Sequence, residues 1–452
     1  MKVHFLGGAG TVTGSKYLIE TGEHNVLIDC GLFQGLKKLR ELNWSYLPVS
    51  VKNIDAIILT HGHLDHVGFI PRIIKMGFRG KIYGTAPTLD IAEIILLDSA
   101  KIQEEEAEKA NLEGYSKHHP AEPLYTIKEA HQSLSYFHEV DENSWKTIFP
   151  DFKFRFQYVG HIIGASFIEI ETNGKKLVFS GDVGRNEDLL MKSPKRPEQA
   201  DYLFLESTYG NRNHPEEDVK QILKDLILKT YEKGGTFIIP SFAVERTQTL
   251  MLLLWQLKAE KSIPQMRMIM DSPMGADVLK VFYEHHAWHK LSSKEFVDMC
   301  QAFEITQDFQ ETLHILEDKS PKIIIAGSGM VTGGRVLTYL QSYLNQESTT
   351  ILLAGFQAEG TRGRKLLEGA DELKIYGEYY KVKASTYSLN SLSAHADQTE
   401  LIEWLSKIKN KPQKVFLVHG EPHAADCLRQ KIEDTYKWSC HIPDLFEIVE
   451  LV

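Results

Sequence analysis

Short apolar runs recur along the chain, and several end on the same kinds of side chain. Asn25–Ile28 is followed by Asp29 and Ile54–Thr60 by His61. Phe154–Gly160 leads to His161, Lys176–Gly181 to Asp182, and Lys414–Val418 to His419. Runs of this length bounded by turn residues read as buried strands. In layered α/β sheets, ligands gather at the C-terminal strand ends. Taken alone, an Asp or His after a strand is a loop or capping residue. As a set, these residues converge.

Between Asp182 and His419 the pattern changes. Thr236–Ile239, Arg267–Met270, Lys322–Ala326 and Thr350–Ala354 are apolar runs separated by helical stretches such as Glu245–Leu257 and Arg335–Leu344. Such alternation predicts a parallel sheet flanked by helices, an inserted α/β domain. The stretch Asp90–Ile102 predicts an amphipathic helix, with Glu104-Glu105-Glu106 on a solvated face. At 452 residues the chain is long for one core. The reading divides it into a first domain over 1–206 and 391–452 and an insertion over 207–390.

Composition adds limits. Hydrophobic residues at 42% and charged residues at 25% are globular values. No apolar run is long enough for a bilayer, so no membrane partner is expected. The opening residues enter a strand and a glycine turn without an apolar leader. Cys30, Cys300, Cys427 and Cys440 show no C-x-x-C spacing, which argues against a disulfide framework and favours a reducing cytoplasm. The formal charge of −10 weighs little against a nucleic-acid partner, because binding follows local potential.

The chemistry concentrates in His61-Gly62-His63-Leu64-Asp65-His66. Imidazole and carboxylate are zinc ligands. His61, His63 and His161 make one three-imidazole set; Asp65, His66 and His419 make a second; Asp182 can bridge them. Two zinc ions against Asp65, Asp182 and a bridging hydroxide leave one positive charge to receive a phosphodiester. Two strand-to-helix junctions in the insertion suit phosphate: Ser241 through Arg246, and Ser328, Gly329, Gly333, Gly334 and Arg335 around a glycine-rich turn. Each could equally be a structural turn or an exposed helix start. With Arg362, Arg364 and Lys365, Arg246 could track a nucleic-acid backbone.

The H-x-H-x-D-H run, the distant His161 and the distant Asp182 resemble the metallo-β-lactamase superfamily. That resemblance implies an αββα sandwich, with Asp29 orienting the ligand loop. Leu205-Glu206-Ser207-Thr208-Tyr209-Gly210, Ser393-Ala394-His395-Ala396-Asp397 and Leu417-Val418-His419-Gly420-Glu421 are similar to motifs A, B and C of the β-CASP nucleases. Asp271-Ser272-Pro273-Met274 and Ala354 through Gly360 also look like family segments. The likeness is strongest to bacterial and archaeal relatives of the subunit that cleaves eukaryotic pre-mRNA 3′ ends, in a minimal two-domain form. It implies a zinc-dependent ribonuclease using a two-metal hydroxide mechanism, with single-stranded RNA as partner and 3′-hydroxyl and 5′-phosphate products. Histidine at motif C favours RNA over DNA. His395 is implied as general acid and Glu206 as its carboxylate partner. A 5′→3′ exonuclease, a thioester-type hydrolase, a non-catalytic subunit and a homodimeric assembly stay open.

Overall fold

The computed structural model describes residues 1–114, 118–355, 357, 359–389 and 391–452. Phe356 and Ala358 of the Ala354–Gly360 segment, and Asn390 at the expected end of the insertion, lie outside the described residues. The chain forms two compact units, residues 1–213 with 395–452, and residues 214–394.

The first unit holds two seven-stranded mixed sheets. One runs, by strand, Ile448–Glu450, Lys2–Gly7, Lys16–Glu20, Asn25–Ile28, Ala56–Ile58, Lys81–Gly84 and Phe137–Glu139. The other runs Cys440–His441, Lys414–Val418, Tyr202–Glu206, Lys175–Phe179, Ser166–Thr172, Phe152–Tyr158 and Lys146–Phe149. Alternate side chains of each strand face the partner sheet. Phe5 meets Phe204 and Phe416 with ring centroids 6.0 and 5.4 Å apart, and Tyr17 meets Phe179 at 6.0 Å. This aromatic layer, with Val3, Ile28, Phe154, Ile168 and Leu177, is the dry seam of the sandwich. The outer face of the first sheet buries Leu27, Ile57 and Ile82 against Ile70, Ile73, Leu89 and Leu96 from helices. Trp404, fully buried on the helix Gln398–Trp404, packs edge-on against Phe167 of the second sheet. The layers are therefore αββα.

The second unit carries a six-stranded sheet whose pairings are all parallel. Its order is Glu304–Thr306, Arg267–Asp271, Lys322–Gly327, Thr236–Ser241, Thr350–Leu353 and Ser385–Ser388. The central strands are covered on both faces, so they read as continuous runs of Ile and Phe without alternation. A small hairpin, Glu372–Ile375 with Glu378–Lys381, is appended.

Chain tracing puts the return to the first unit at His395, and the exit after Asn213, where the sequence reading set 391 and 207. Ser207–Asn213 stays with the first unit because hydrogen bonds hold it there. The Ser207 hydroxyl donates to Val418 O at 2.9 Å and the Gln398 amide donates to Gly210 O at 2.6 Å. Among the described residues no helix is long and apolar enough to cross a membrane. All four cysteines are free thiols.

Candidate metal centre

Strands Phe152–Tyr158, Lys175–Phe179, Tyr202–Glu206 and Lys414–Val418 point the same way, the first two through their shared antiparallel neighbour. Their C-terminal ends deliver His161, Asp182, Glu206 and His419 to one edge. Asn25–Ile28 and Ala56–Ile58, parallel in the opposing sheet, deliver Asp29 and the His61–His66 turn.

The turn is tightly determined. Gly62 has no room for a side chain, since a Cβ there would lie 2.5 Å from Ile91 Cγ2. Asp29 and His419 both adopt left-handed backbone conformations, with φ of 58° and 48°. Non-glycine residues occupy that region at a cost, and such strain concentrates at functional sites.

Two four-sided arrangements result. His61 Nε2 and His161 Nε2 approach His63 Nδ1 at 3.1 and 3.2 Å, and both approach Asp182 Oδ2, at 3.4 and 3.5 Å. His66 Nε2 lies 3.2 Å from His419 Nε2 and 3.4 Å from Asp182 Oδ1; His419 Nε2 lies 3.1 Å from Asp65 Oδ2. Zinc bonds of about 2.0–2.1 Å in a tetrahedron set ligand–ligand edges of about 3.3–3.4 Å. The nitrogen and oxygen atoms therefore stand as far apart as ligands of a shared zinc ion. Asp182 reaches both groups, one oxygen to each. The fit of residues to metal is good in donor type, separation and burial: His61, His66, His161 and Asp182 are all at most 2% exposed.

The groups behind the ligands set which nitrogens face inward. Thr60 donates from its backbone N–H to Asp29 Oδ1 and from its hydroxyl to Asp29 Oδ2, both at 2.8 Å. That hydroxyl, its proton committed, accepts from His61 Nδ1 at 3.1 Å. His66 Nδ1 donates to Asp29 Oδ2 at 2.8 Å. Both rings thus carry a proton on Nδ1 and aim Nε2 into the centre; burial disfavours the charged His66 ring, but Asp182 and Asp29 outweigh it and lift His66 well above the ordinary imidazole range. Thr208 lies 3.1 Å from His419 Nδ1 in the same backing role. Burial holds His61 well below the ordinary imidazole range and His63 at about 4, so neither keeps a second proton at neutral pH.

His395 differs from the ligands. It is 20% exposed, and its Nδ1 sits 3.1 Å from the fully buried Glu206 Oε2. Glu206 Oε1 also accepts from Val183 N–H at 2.5 Å, and Ala396 N–H donates to Val183 O, pinning His395 to the Asp182 loop. Burial disfavours the charged ring, but Glu206 outweighs it and lifts His395 to about 10. The His395 ring lies over that of His161, centroids 4.4 Å apart.

In the insertion, the proposed phosphate contacts separate into two groups. Ser241 is 1% exposed, its hydroxyl turned to Phe242 O and Thr247. Arg246 is buried and donates to Ala354 O. Arg335 donates to Gln307 O and Thr312 Oγ1 at 2.9 and 3.2 Å and faces the buried Asp271. Arg362 donates to Lys374 O and Thr332 O, and Arg364 bonds Glu368. Arg246, Arg335 and Arg362 thus tie loops and strand ends together and Arg364 pairs along its own helix, so the tracking of a nucleic-acid backbone by these arginines stays a proposal. Ser328, Gly333 and Gly334 remain on a partly open turn, while Gly329 is packed against Phe242.

Thr60 and Thr208 enter the sequence reading only as the end of a strand run and as part of motif A, with no role of their own. Lys16 was also missed. It is 1% exposed, donates to Gly14 O and Gly31 O at 2.9 and 2.6 Å, and lies over the Phe33 and Phe69 rings.

Three family descriptions match the chain: the metallo-beta-lactamase superfamily over residues 9–82, the Beta-Casp domain over 247–366, and the Zn-dependent metallo-hydrolase RNA specificity domain over 379–443. Ribonuclease TTHA0252 of Thermus thermophilus is 32% identical over 430 residues, covering 93% of each chain. Transcription termination factor FttA of Methanocaldococcus jannaschii is 28% identical over 98% of this chain and 70% of its own. A protein of unknown function from Enterococcus faecalis shares the fold, with a TM-score of 0.55 at 13% identity over 100% of this chain and 99% of its own. With these matches added to the ligand edge and the inserted parallel sheet, the chain belongs to the β-CASP ribonuclease family of the metallo-β-lactamase superfamily.

Proposed function

We propose that this protein is a zinc-dependent ribonuclease that cuts internal phosphodiester bonds of single-stranded RNA. The observation that carries the reading is the Glu206–His395 pair set beside two zinc-shaped ligand groups. The relatives' names, a ribonuclease and a transcription termination factor, support RNA as the substrate.

His61, His63 and His161 would hold one zinc ion, Asp65, His66 and His419 the second, and Asp182 would span both. When bound, the ions ionise an attacking water at neutral pH and offset charge growing on the phosphoryl oxygens. The rest is work for side chains. Asp29 and Thr60 keep His61 and His66 aimed inward. Glu206 holds the Nδ1 proton of His395, directing the ring so that Nε2–H faces the departing ribose 3′-oxygen. His395 gives that proton as the P–O bond breaks, leaving a 3′-hydroxyl and a 5′-phosphate. His395 takes its next proton from solvent between turnovers, and Glu206, buried and tied to Val183 N–H, favours that charged ring.

The test pairs an end-labelled linear RNA with a circular RNA of the same sequence, using protein whose zinc content has been measured. Cutting of the circle, with two zinc ions per chain and little cleavage of matched DNA, is expected. Mononucleotides from the linear RNA with an intact circle would overturn the internal-cleavage assignment. Equal rates on RNA and DNA would overturn the substrate.

A further inference from the structure

The connector that follows Asn25–Ile28 has surface chemistry that the metal centre does not use. It leaves directly from the ligand edge. Cys30 N–H donates to His66 O at 2.7 Å, Leu32 N–H to Leu64 O at 3.1 Å, and a Cβ on Gly31 would fall 1.6 Å from Asp65 O. Gln34 N–H then donates to Thr13 Oγ1 at 3.2 Å, Gly8 N–H to Thr13 O at 3.3 Å, and His419 N–H to Gly8 O at 2.6 Å. The connector is therefore anchored beside both Asp65 and His419.

Its far end is clamped back on its start. Asn43, 8% exposed, accepts from Phe33 N–H at 3.0 Å and donates to Phe33 O at 2.8 Å. Arg72 donates to Trp44 O at 3.3 Å. This fixes the backbone of Trp44 close to Phe33, although ten residues separate them in sequence. Yet the side chains point to solvent: Trp44 is 51% exposed and Tyr46 87%. The short helix Lys37–Leu42 between the clamps buries no residue. Lys37 makes only an exposed pair with Glu41 at 3.7 Å, and among the described residues no ion pair engages Lys38 or Arg40. Three cations and one carboxylate thus precede two exposed aromatic rings within ten residues, in a chain whose formal charge is −10.

Packing gives no account of a tyrosine that stands this far out of the protein. Exposed rings beside a group of cations are what a single strand needs: each base offers a face to stack and each phosphate a charge to pair. A second copy of the chain fits less well, because copy-to-copy surfaces concentrate apolar residues in the centre and move charge to the rim. We propose that the connector Gln34–Tyr46 is a stacking platform for single-stranded RNA at the rim of the metal centre, with Trp44 and Tyr46 receiving bases and Lys37, Lys38 and Arg40 the phosphates. The proposal rests on the ribonuclease reading for its ligand and deepens it by naming where the strand outside the cleavage point lies.

The probes are a fluorescent 15-nucleotide uridine RNA for binding and the p-nitrophenyl ester of thymidine 5′-phosphate, too short to reach the platform, for chemistry. Trp44→Ala with Tyr46→Ala should raise the RNA Kd by about tenfold or more, while ester turnover stays within about twofold of wild type. Trp44→Phe with Tyr46→Phe should restore most of the affinity. Removing Lys37, Lys38 and Arg40 should flatten the salt dependence of binding by about two in log–log slope, three phosphates at about 0.7 each. An RNA Kd unchanged in both variants overturns the platform. Ester turnover that falls in step with RNA binding also overturns it, since the connector would then act by holding the Asp65 turn. A variant that loses a dimer in sedimentation but binds RNA as before assigns the surface to a second copy instead. Wild-type protein that binds the RNA and cuts neither it nor the ester would sink the ribonuclease reading while leaving the platform measurable.

Discussion

The ligand edge of the first unit and the corresponding strand ends of the inserted sheet are built from similar parts to opposite effect. Both place polar residues just beyond buried strands. At the ligand edge His61 and His66 are backed from behind: Thr60 and Asp29 take up their Nδ1 protons, and both Nε2 atoms are left facing the centre. In the insertion the polar groups turn to one another. Asp271 accepts from Thr312 and Tyr339 hydroxyls, both at 2.6 Å, and Arg335 closes over them. The difference teaches that a polar residue at a strand end signals function when its partners turn its remaining atoms toward those of other such residues.

The comparison is most sharply broken at Asp182, which reaches both ligand groups. Asp182→Ala should release zinc and abolish cleavage together while circular dichroism stays native. Two zinc ions retained per chain, by elemental analysis, would remove Asp182 from its bridging place. Next in size, His395→Ala should keep both ions and slow RNA cleavage by roughly two to four orders of magnitude. A substrate with sulfur as the leaving atom should recover much of that loss, because sulfur departs with little help from a proton. Thr60→Val touches neither substrate nor metal, yet it should weaken zinc binding by about 10–100-fold, as removing groups behind metal ligands does. Chelator competition measures it. By contrast Arg335→Gln should lower the denaturation midpoint and leave the RNA Kd within about threefold, since its guanidinium is spent inside the insertion. A larger loss of affinity with unchanged stability would return Arg335 to the phosphate contacts.

Lys16 gives the most specific effect, through pH. Burial lowers its ammonium from 10.5 to about 8. Between those values the unfolded chain binds more protons than the folded one, so stability should rise with pH across this window. The rise attributable to Lys16 is about 3 kcal/mol, from about 1.36 kcal/mol per unit. Denaturant titrations of wild type and Lys16→Met at pH 7.5 and 10.5 should differ by that amount in their pH dependence. Parallel curves would mean that the Gly14 and Gly31 carbonyls and the Phe33 and Phe69 rings hold the charged form as well as water does.

The sandwich, the inserted parallel sheet and the ligand edge were legible because each leaves a local trace. Strands buried on both faces write continuous apolar runs, and the ligands follow them directly. His61 through His66 lie in one turn, so their spacing alone carries information. The fate of Arg246 and Arg335 was not legible. An arginine at a helix start has the same local pattern whether it meets phosphate or, as Arg246 does, the carbonyl of Ala354, more than a hundred residues on. Lys16 hid for a related reason: a lysine at the start of a strand reads as an exposed end, and only the fold brings Gly31, Phe33 and Phe69 around it. The exit from the first unit was placed early because Ser207–Asn213 is held by Val418 and Gln398, which lie beyond the insertion.

The order of the ligands along the chain has a consequence for the protein's own synthesis. His61, His63, His161 and Asp182 emerge from the ribosome first, whereas His395 and His419 come only after the whole insertion. The strand Tyr202–Glu206, which carries Glu206, lacks its neighbour Lys414–Val418 until then. A half-made chain therefore holds one of the two candidate ligand groups and an open sheet edge, and lacks His395. On the proposed mechanism, a nuclease translated from the kind of molecule it destroys is harmless to its own message until the last strands arrive.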